Sequence, residues 1–451
     1  MAGADDRLKR RSGEGWHPEP ELLDISDEEA SRPALEALGE GAWSAALDYV
    51  YDHGLERAIG EPGDYEELRA LFFGPSGAPS AAPTEPSTSA DIIEEFRTRL
   101  APHQANAWHP RAYAYFTPIP LWASITGEVL GQVVHQGVDV WHCSPSATFV
   151  EEEVVRWLCD LVGYGEGSFG LFTSGGVMAN IMSMNVARDV HLRRVRGLDG
   201  PPRGADLTAA RVYVSDQAHF SIKRSLDTLG FPEDTIVKVP ADELLRLQAG
   251  PVAAAITRDR DAGLTPFAIV ATAGTTNTGA VDVLPDLADL AEREGLWFHV
   301  DAAYGGAAKL SERLAPHQAN AWHPRAYAYF TPVPLWASIT GELFSQVVHQ
   351  GVDVWHCSPS ATFVEEEVVR WLCDLVGYPG DAFGLFTSGG VMANTMALNV
   401  ARDVHLRGLR DLGAPPRGVD LTAARVYVSD QAHFSIKRSL DTLGFPEGTM
   451  V

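Results

Sequence analysis

Residues 100–237 recur as residues 314–451 at a constant offset of 214, without a gap and with 19 differences in 138 positions. A chain that restarts in this way must fold one segment twice, with different sequence around each copy. Residues 238–313 follow the first copy, and no counterpart of them follows the second. The differences gather in "GEGS" (165–168) against "PGDA" (379–382) and in "RRVRGLDG" (193–200) against "RGLRDLGA" (407–414). Such clustering is expected of surface loops, which tolerate change. Solenoid repeats are ~20–50 residues long and stack as small units. A single long segment recurring once is not of that kind.

Within the repeated unit and just after it, short β-branched or aromatic runs alternate with helical patterns. "ARVYVSD" (210–216), "TIVKV" (235–239), "PFAIVATAG" (266–274) and "LWFHVDA" (296–302) read as buried strands. "EEEVVRWLCDLVGY" (151–164) puts Val154, Val155, Leu158, Leu161 and Val162 on one helical face. "VMANIMSMNVARDVHLRRV" reads as a long helix. Strands separated by helices indicate an α/β fold with a mostly parallel sheet. Ahead of the repeat, residues 35–72 read as helical. "GPSGAPSAAPTEPSTSA" (74–90) reads as a linker, and a helix follows with Ser89 as its N-cap. The chain thus divides into a helical segment and linker (1–90), an α/β domain (91–313) and a second partial copy (314–451).

Composition excludes several classes. The net charge of −25 opposes a nucleic-acid surface, which needs clustered Lys and Arg. No apolar run reaches the ~18–20 residues that span a bilayer, and the N-terminus has no apolar signal core. A cytoplasmic protein is the resulting expectation. The four cysteines are two positions seen twice, Cys143 and Cys159, then Cys357 and Cys373, with no C-x-x-C pair. They read as buried free thiols, and no metal site is expected.

Ligands of open α/β sheets bind beyond the carboxyl ends of the strands, and four polar signatures fall there. "TSGGVMAN" (173–180) places a glycine turn before a helix, an arrangement that presents free N–H groups to a phosphate. "SDQAHFSIKRS" (215–225) leaves His219 just past a strand, and "ATAGTTNTGAVD" (271–282) clusters hydroxyls and glycines. "HVDAAYGG" (299–306) ends an apolar strand on Asp301, a carboxylate that needs partners if buried. Alone, such a glycine turn is more often a simple tight turn and such a histidine more often a structural residue; the order of all four is the specific feature.

In that order the four closely resemble the pyridoxal 5′-phosphate-dependent group II amino-acid decarboxylases, of the aromatic-L-amino-acid and L-2,4-diaminobutyrate decarboxylase kind. The resemblance covers about 35–313 and again 314–451. It implies the fold-type I, aspartate aminotransferase-like large domain, incomplete here, with the small C-terminal domain missing. It also implies pyridoxal phosphate as cofactor, an aromatic or diamino L-amino acid as substrate, and a homodimer. Gly175, Gly176 and Val177 would hold the phosphate, and His219 would stack on the ring. Thr276 would support ring and substrate, Asp301 would pair with the ring nitrogen, and Ala303 would pack beneath it. Met178 departs from the glutamate common in the family.

The lysine that anchors the cofactor lies, in the family, about thirty residues after the aspartate in an "HK" pair. That position falls in the second copy, at Val333, and no "HK" occurs in the chain. Of the five lysines, Lys223 and Lys309 lie nearest to the signatures in sequence. The resemblance further suggests that residues 328–363 stand in cis where a partner's 114–149 would otherwise lie. Alternatives to a decarboxylase are an inactive cofactor-binding or dimerising relative, a recombination product without function, and a fold-type I aminotransferase.

Overall fold

The run Phe267–Ala271 is apolar throughout and wholly buried, as a strand covered on both faces must be. It belongs to a computed structural model that describes residues 28–53, 63–76, 88–104, 106, 108–109, 121–134, 144–306 and 358–451. In chain order the main helices are α1 (Glu28–Asp48), α2 (Tyr65–Phe73), α3 (Ser89–Glu95), α4 (Trp122–Val134), α5 (Pro145–Val162), α6 (Gly176–Val186), α7 (Ser221–Thr228), α8 (Ala249–Asp261), α9 (Leu284–Glu294), α10 (Pro359–Val376), α11 (Gly390–Val400) and α12 (Ser435–Thr442). The strands are β1 (Ala210–Ser215), β2 (Ile236–Val239), β3 (Thr265–Thr272) and β4 (Trp297–Asp301). The chain divides into one unit of residues 1–154 with 320–385 and another of 155–319 with 386–451.

In the second unit the four strands form a parallel sheet in the order β2-β1-β3-β4. One face packs through Val212, Val214, Ala268 and Val270 against Met184, Ile222, Leu226 and Phe231. The other packs through Tyr213, Ile269 and Ala271 against Val252, Ile256, Leu287 and Leu290 of α8 and α9. Alternation along each strand sends successive side chains to opposite layers, which gives the α/β sandwich expected from the sequence. The buried Tyr213 hydroxyl donates to Asp259 (2.9 Å), and burial with this partner pushes its pKa up.

The second copy does not repeat this sheet. Its "RVYVSD" (425–430) makes a single parallel bridge, Val426 to Met450, and Tyr427 is 78% exposed where Tyr213 is 0%. What it does form is a reciprocal contact with the first copy. Gly204 N–H donates to Gly444 O, and Gly418 N–H donates to Gly230 O, both at 3.0 Å. Arg188 donates to Thr442 O and Asp441 O, while Arg402 donates to Thr228 O and Asp227 O. Every pair is exchanged at the offset of 214. The two copies therefore meet as the halves of an isologous dimer do, inside one chain. Both arginines are fully buried, and desolvation lowers each to about 10, so each stays charged at neutral pH.

In the first unit Ala42, Ala45, Ala46, Tyr49 and Val50 pack with Ile93, Phe96, Ala101 and Ile125. A separate cluster joins Leu68, Phe72 and Phe73 of α2 to Phe363 of α10. Burying a phenylalanine there stabilises the unit by ~1.5–3 kcal/mol.

Local expectations need four corrections. The N-cap of α3 is Thr88, not Ser89: the Thr88 hydroxyl accepts from Asp91 N–H and the Asp91 carboxylate accepts from Thr88 N–H, a capping box. Ser89 is the first helical residue, so residues 88–90 leave the linker. On α5, Val155 and Leu161 are buried but Val162 is exposed at the helix end. Residues 187–192 form a π-turn between α6 and the short helix Arg193–Arg196, which interrupts the single long helix. Cys159 and Cys373 are buried free thiols as expected, while Cys143, Cys357 and residues 328–357 lie outside the described residues. Among the described residues no helix is long and apolar enough to cross a membrane, and no cluster of His, Cys, Asp or Glu could hold a metal.

Candidate functional site

At the carboxyl end of β4 the chain has to dispose of a carboxylate that its own strand has carried inside. Asp301 is 8% exposed and paired in register with Thr272 of β3. Its Oδ2 accepts from Asn180 Nδ2 at 3.0 Å, and its Oδ1 accepts from Ala303 N–H at 3.2 Å. Among the described residues no cationic side chain forms an ion pair with it. Among the described residues, neutral donors hold this buried carboxylate.

Asn180 is the hub of the site. It is 3% exposed on α6, one turn after Gly176. Nδ2 also donates to Ser221 Oγ at 2.9 Å, and Oδ1 accepts from His299 Nε2 at 2.8 Å. Three partners fix the amide's orientation, since only Nδ2 can supply two donors. His299 must then carry its hydrogen on Nε2. Burial holds its pKa down, an effect that the nearby Asp301 charge partly offsets.

Gly175, with φ 134°, caps α6, a conformation that favours glycine. A Cβ on Gly176 would stand 2.9 Å from Ala303 Cβ, so the glycine turn and the segment after Asp301 touch. Val177 and Ala303 are exposed beside this contact. His219 is half-buried just before α7, and its Nδ1 accepts from Ser221 N–H at 3.3 Å, which leaves the ring hydrogen on Nε2. Ser221 thereby joins His219 to Asn180 and, through it, to Asp301.

Thr276 stands apart from this network on an exposed turn after β3. The buried threonines of that stretch are Thr272 and Thr275. Thr275 Oγ1 lies 2.7 Å from Thr278 Oγ1, and Asp282 fixes the loop by accepting from Thr272 N–H and Leu247 N–H. The loops after β3 and β4 run close together, for a Cβ on Gly305 would fall 2.1 Å from Ala273 O. Lys223 pairs with Asp227, Lys238 and Lys437 are exposed, and Lys9 and Lys309 lie outside the described residues. A cavity of about 300 Å³ lined by His191, Arg194 and Trp297 opens at the other end of β4 and contains none of these groups.

Asn180, Ser221 and His299 are not among the residues that the sequence singles out. Their signal was present as spacing: Asn180 is four residues after Gly176, and His299 is two before Asp301 on the same strand face. In the second copy the corresponding Asn394 donates to Ser435 Oγ at 2.7 Å, but nothing lies within 4 Å of a Cβ placed on Gly390.

These residues fit a pyridoxal phosphate. A buried carboxylate held only by neutral donors suits a protonated ring nitrogen. The buried Thr272 hydroxyl, in register with Asp301, has no hydrogen-bond partner among the described residues. The side-chain-free turn at Gly175–Gly176 leaves room for an anion near the start of α6.

Comparison with known proteins agrees. Residues 75–320, and again 311–445, match the pyridoxal-dependent decarboxylase conserved domain. The aromatic-L-amino-acid decarboxylase of Bacillus atrophaeus is 31% identical over 293 residues, 65% of this chain and 56% of that protein. The L-2,4-diaminobutyrate decarboxylase of Rhizobium meliloti is 39% identical over 223 residues, 49% of this chain and 43% of that one. The chain thus spans about half the length of these curated relatives. The crystal structure of mouse CSAD superposes with a TM-score of 0.53 at 30% identity, covering 65% of this chain and 59% of that one. With buried aspartate, glycine turn and family match coinciding on one strand-end cluster, the chain belongs to the pyridoxal-dependent decarboxylase family.

Proposed function

We propose that this chain binds pyridoxal 5′-phosphate and serves the decarboxylation of an L-amino acid of the aromatic or diamino class. The observation that carries the reading is the Asn180–Asp301 pair, a buried carboxylate at the carboxyl end of β4 without a cationic partner among the described residues. Gly175, Gly176 and Val177 would take the phosphate, and Asp301 would hold a proton on the ring nitrogen. His219 would lie against the ring with Nε2–H available to the substrate carboxylate, Ala303 would floor the site, and Thr276 would approach from its exposed turn. When bound, the cofactor supplies an electron-withdrawing ring that spreads the charge left as carbon dioxide departs. Asn180 aims Asp301 by donating to Oδ2, and Ser221 holds His219 in one tautomer. The substrate class follows the names of the relatives, an aromatic-L-amino-acid and a diaminobutyrate decarboxylase.

The division into 1–90, 91–313 and 314–451 is part of this proposal, as is a cytoplasmic location. A homodimer would have to use a surface other than residues 188–230, which already meet 402–444 within the chain. The test is a titration with pyridoxal phosphate, read by absorbance, beside carbon dioxide release from tyrosine, tryptophan and 2,4-diaminobutyrate. Saturable binding that weakens about tenfold or more in Asp301→Ala and Asp301→Asn is expected, since each removes a charged partner. Equal binding by the wild type and both variants would refute the assigned role of Asp301. Absence of carbon dioxide release from all three amino acids, with binding intact, would overturn the proposed activity.

A further inference from the structure

At the amino-terminal end of β4, away from the strand ends that carry Asp301, the cavity of about 300 Å³ opens between His191, Arg194 and the segment Ala291–Phe298. That is the lower end of the size range of small-molecule sites. Two donors on its lining side chains are unused. His191 is 7% exposed and Trp297 is half-buried, and among the described residues neither His191 Nε2 nor Trp297 Nε1 has a hydrogen-bond partner. Arg194 Nη2 lies 3.2 Å from His191 Nδ1. A guanidinium can only donate, so Nδ1 accepts and the ring hydrogen stands on Nε2. Burial and the Arg194 charge hold the imidazole pKa down, which keeps the ring neutral at pH 7. The approach of the Gly295 backbone offsets part of this without closing a hydrogen bond on Nε2. The indole Nε1–H is likewise a donor only.

The arginines on either side of Arg194 are engaged elsewhere: Arg193 donates to Leu198 O, and Arg196 donates to Thr208 O. Arg194 forms no ion pair among the described residues. The cavity therefore offers one cation and two unused N–H groups beside the apolar side chains of Leu296 and Phe298. We propose that it binds a small organic monocarboxylate with an apolar body, whose carboxylate is taken by Arg194 and by the N–H groups of Trp297 and His191. Both N–H groups are buried, and they reach the carboxylate through a side-chain adjustment of the kind common on binding. Exposed Glu292 lines the same cavity, so a second negative charge on the ligand is disfavoured. None of these residues belongs to the Asn180–Asp301 cluster, so the site is separate from the one assigned to the cofactor.

The experiment titrates the full chain with sodium phenylacetate, read by calorimetry and by tryptophan fluorescence. One-to-one saturable binding is expected. Arg194→Gln, which removes the charge, should weaken it about tenfold or more. Trp297→Phe, which keeps a ring and removes the N–H, should weaken it about threefold or more. Phenylmalonate, with a second carboxylate, should bind the wild type more weakly than phenylacetate and recover in Glu292→Gln; tighter binding of phenylmalonate would overturn the assignment to a monocarboxylate. Circular dichroism verifies that the variants fold, which the exposed positions of Arg194 and Glu292 favour. No saturable binding, or binding indifferent to both Arg194→Gln and Trp297→Phe, overturns the proposal. Binding lost in Asp301→Asn but kept in Arg194→Gln overturns it too, because the carboxylate would then sit in the strand-end cluster.

Discussion

Asn180→Leu and Asn394→Leu make the same change in the same local sequence, "TSGGVMAN", once with Asp301 present and once without a counterpart to it. In the first copy the substitution removes a hydrogen bond to a buried carboxylate, ~1.5–3 kcal/mol, and strands the His299 Nε2–H, ~1–3 kcal/mol. Ser221 Oγ loses a donor as well. Leucine fills most of the amide's volume, so a cavity adds little, and a loss of ~3–5 kcal/mol is expected. In the second copy the half-buried Asn394 loses only its bond to Ser435, ~0.5–1.5 kcal/mol. Hydrogen exchange reads the two losses separately, from the amides of β4 for one and of α11 for the other. Comparable losses in the two copies, or less than about 1 kcal/mol at Asn180, would show that Asp301 does not depend on this amide.

Arg188→Met and Arg402→Met should destabilise by similar amounts, about 3–5 kcal/mol, because each leaves reciprocal buried carbonyls without their donor and removes one of the two arginines on Asp189 or Asp403. Urea denaturation of the pair would test this, and a large difference between them would contradict the exchanged geometry. Since His299 is held below its ordinary 6.5, the unfolded chain takes up a proton below that pH which folded His299 refuses. Stability should thus be present at neutral pH and fall as the pH drops through 6.5. His299→Gln, which keeps a donor for Asn180, should flatten that slope in urea titrations between pH 7 and pH 5. Gly176→Ala places a methyl 2.9 Å from Ala303 and should weaken pyridoxal phosphate binding severalfold, while Gly390→Ala meets nothing and should leave it unchanged. Parallel absorbance titrations of the two variants decide the point.

The sequence by itself determined which segments can become strands and helices, and which polar residues stand at the strand ends. Four apolar runs placed β1 to β4 within a residue or so. Gly175, Gly176, His219 and Asp301 were legible because special backbone needs and a polar residue ending an apolar strand are local signals. Asn180 was not: an asparagine on a helix is indistinguishable from a surface residue until the fold brings Asp301, Ser221 and His299 to it. The repeat makes the same distinction with the sequence held nearly constant. "RVYVS" is a central strand at 211–215, flanked by β2 and β3, and at 425–429 it makes one bridge with its tyrosine in solvent. In "PSATF" Pro359, Ser360 and Phe363 are buried, Phe363 against α2, while Pro145, Ser146 and Phe149 are exposed. Propensity and pattern specify what a segment can form, but burial depends on the surfaces brought against it from far along the chain, and only the tertiary structure supplies those.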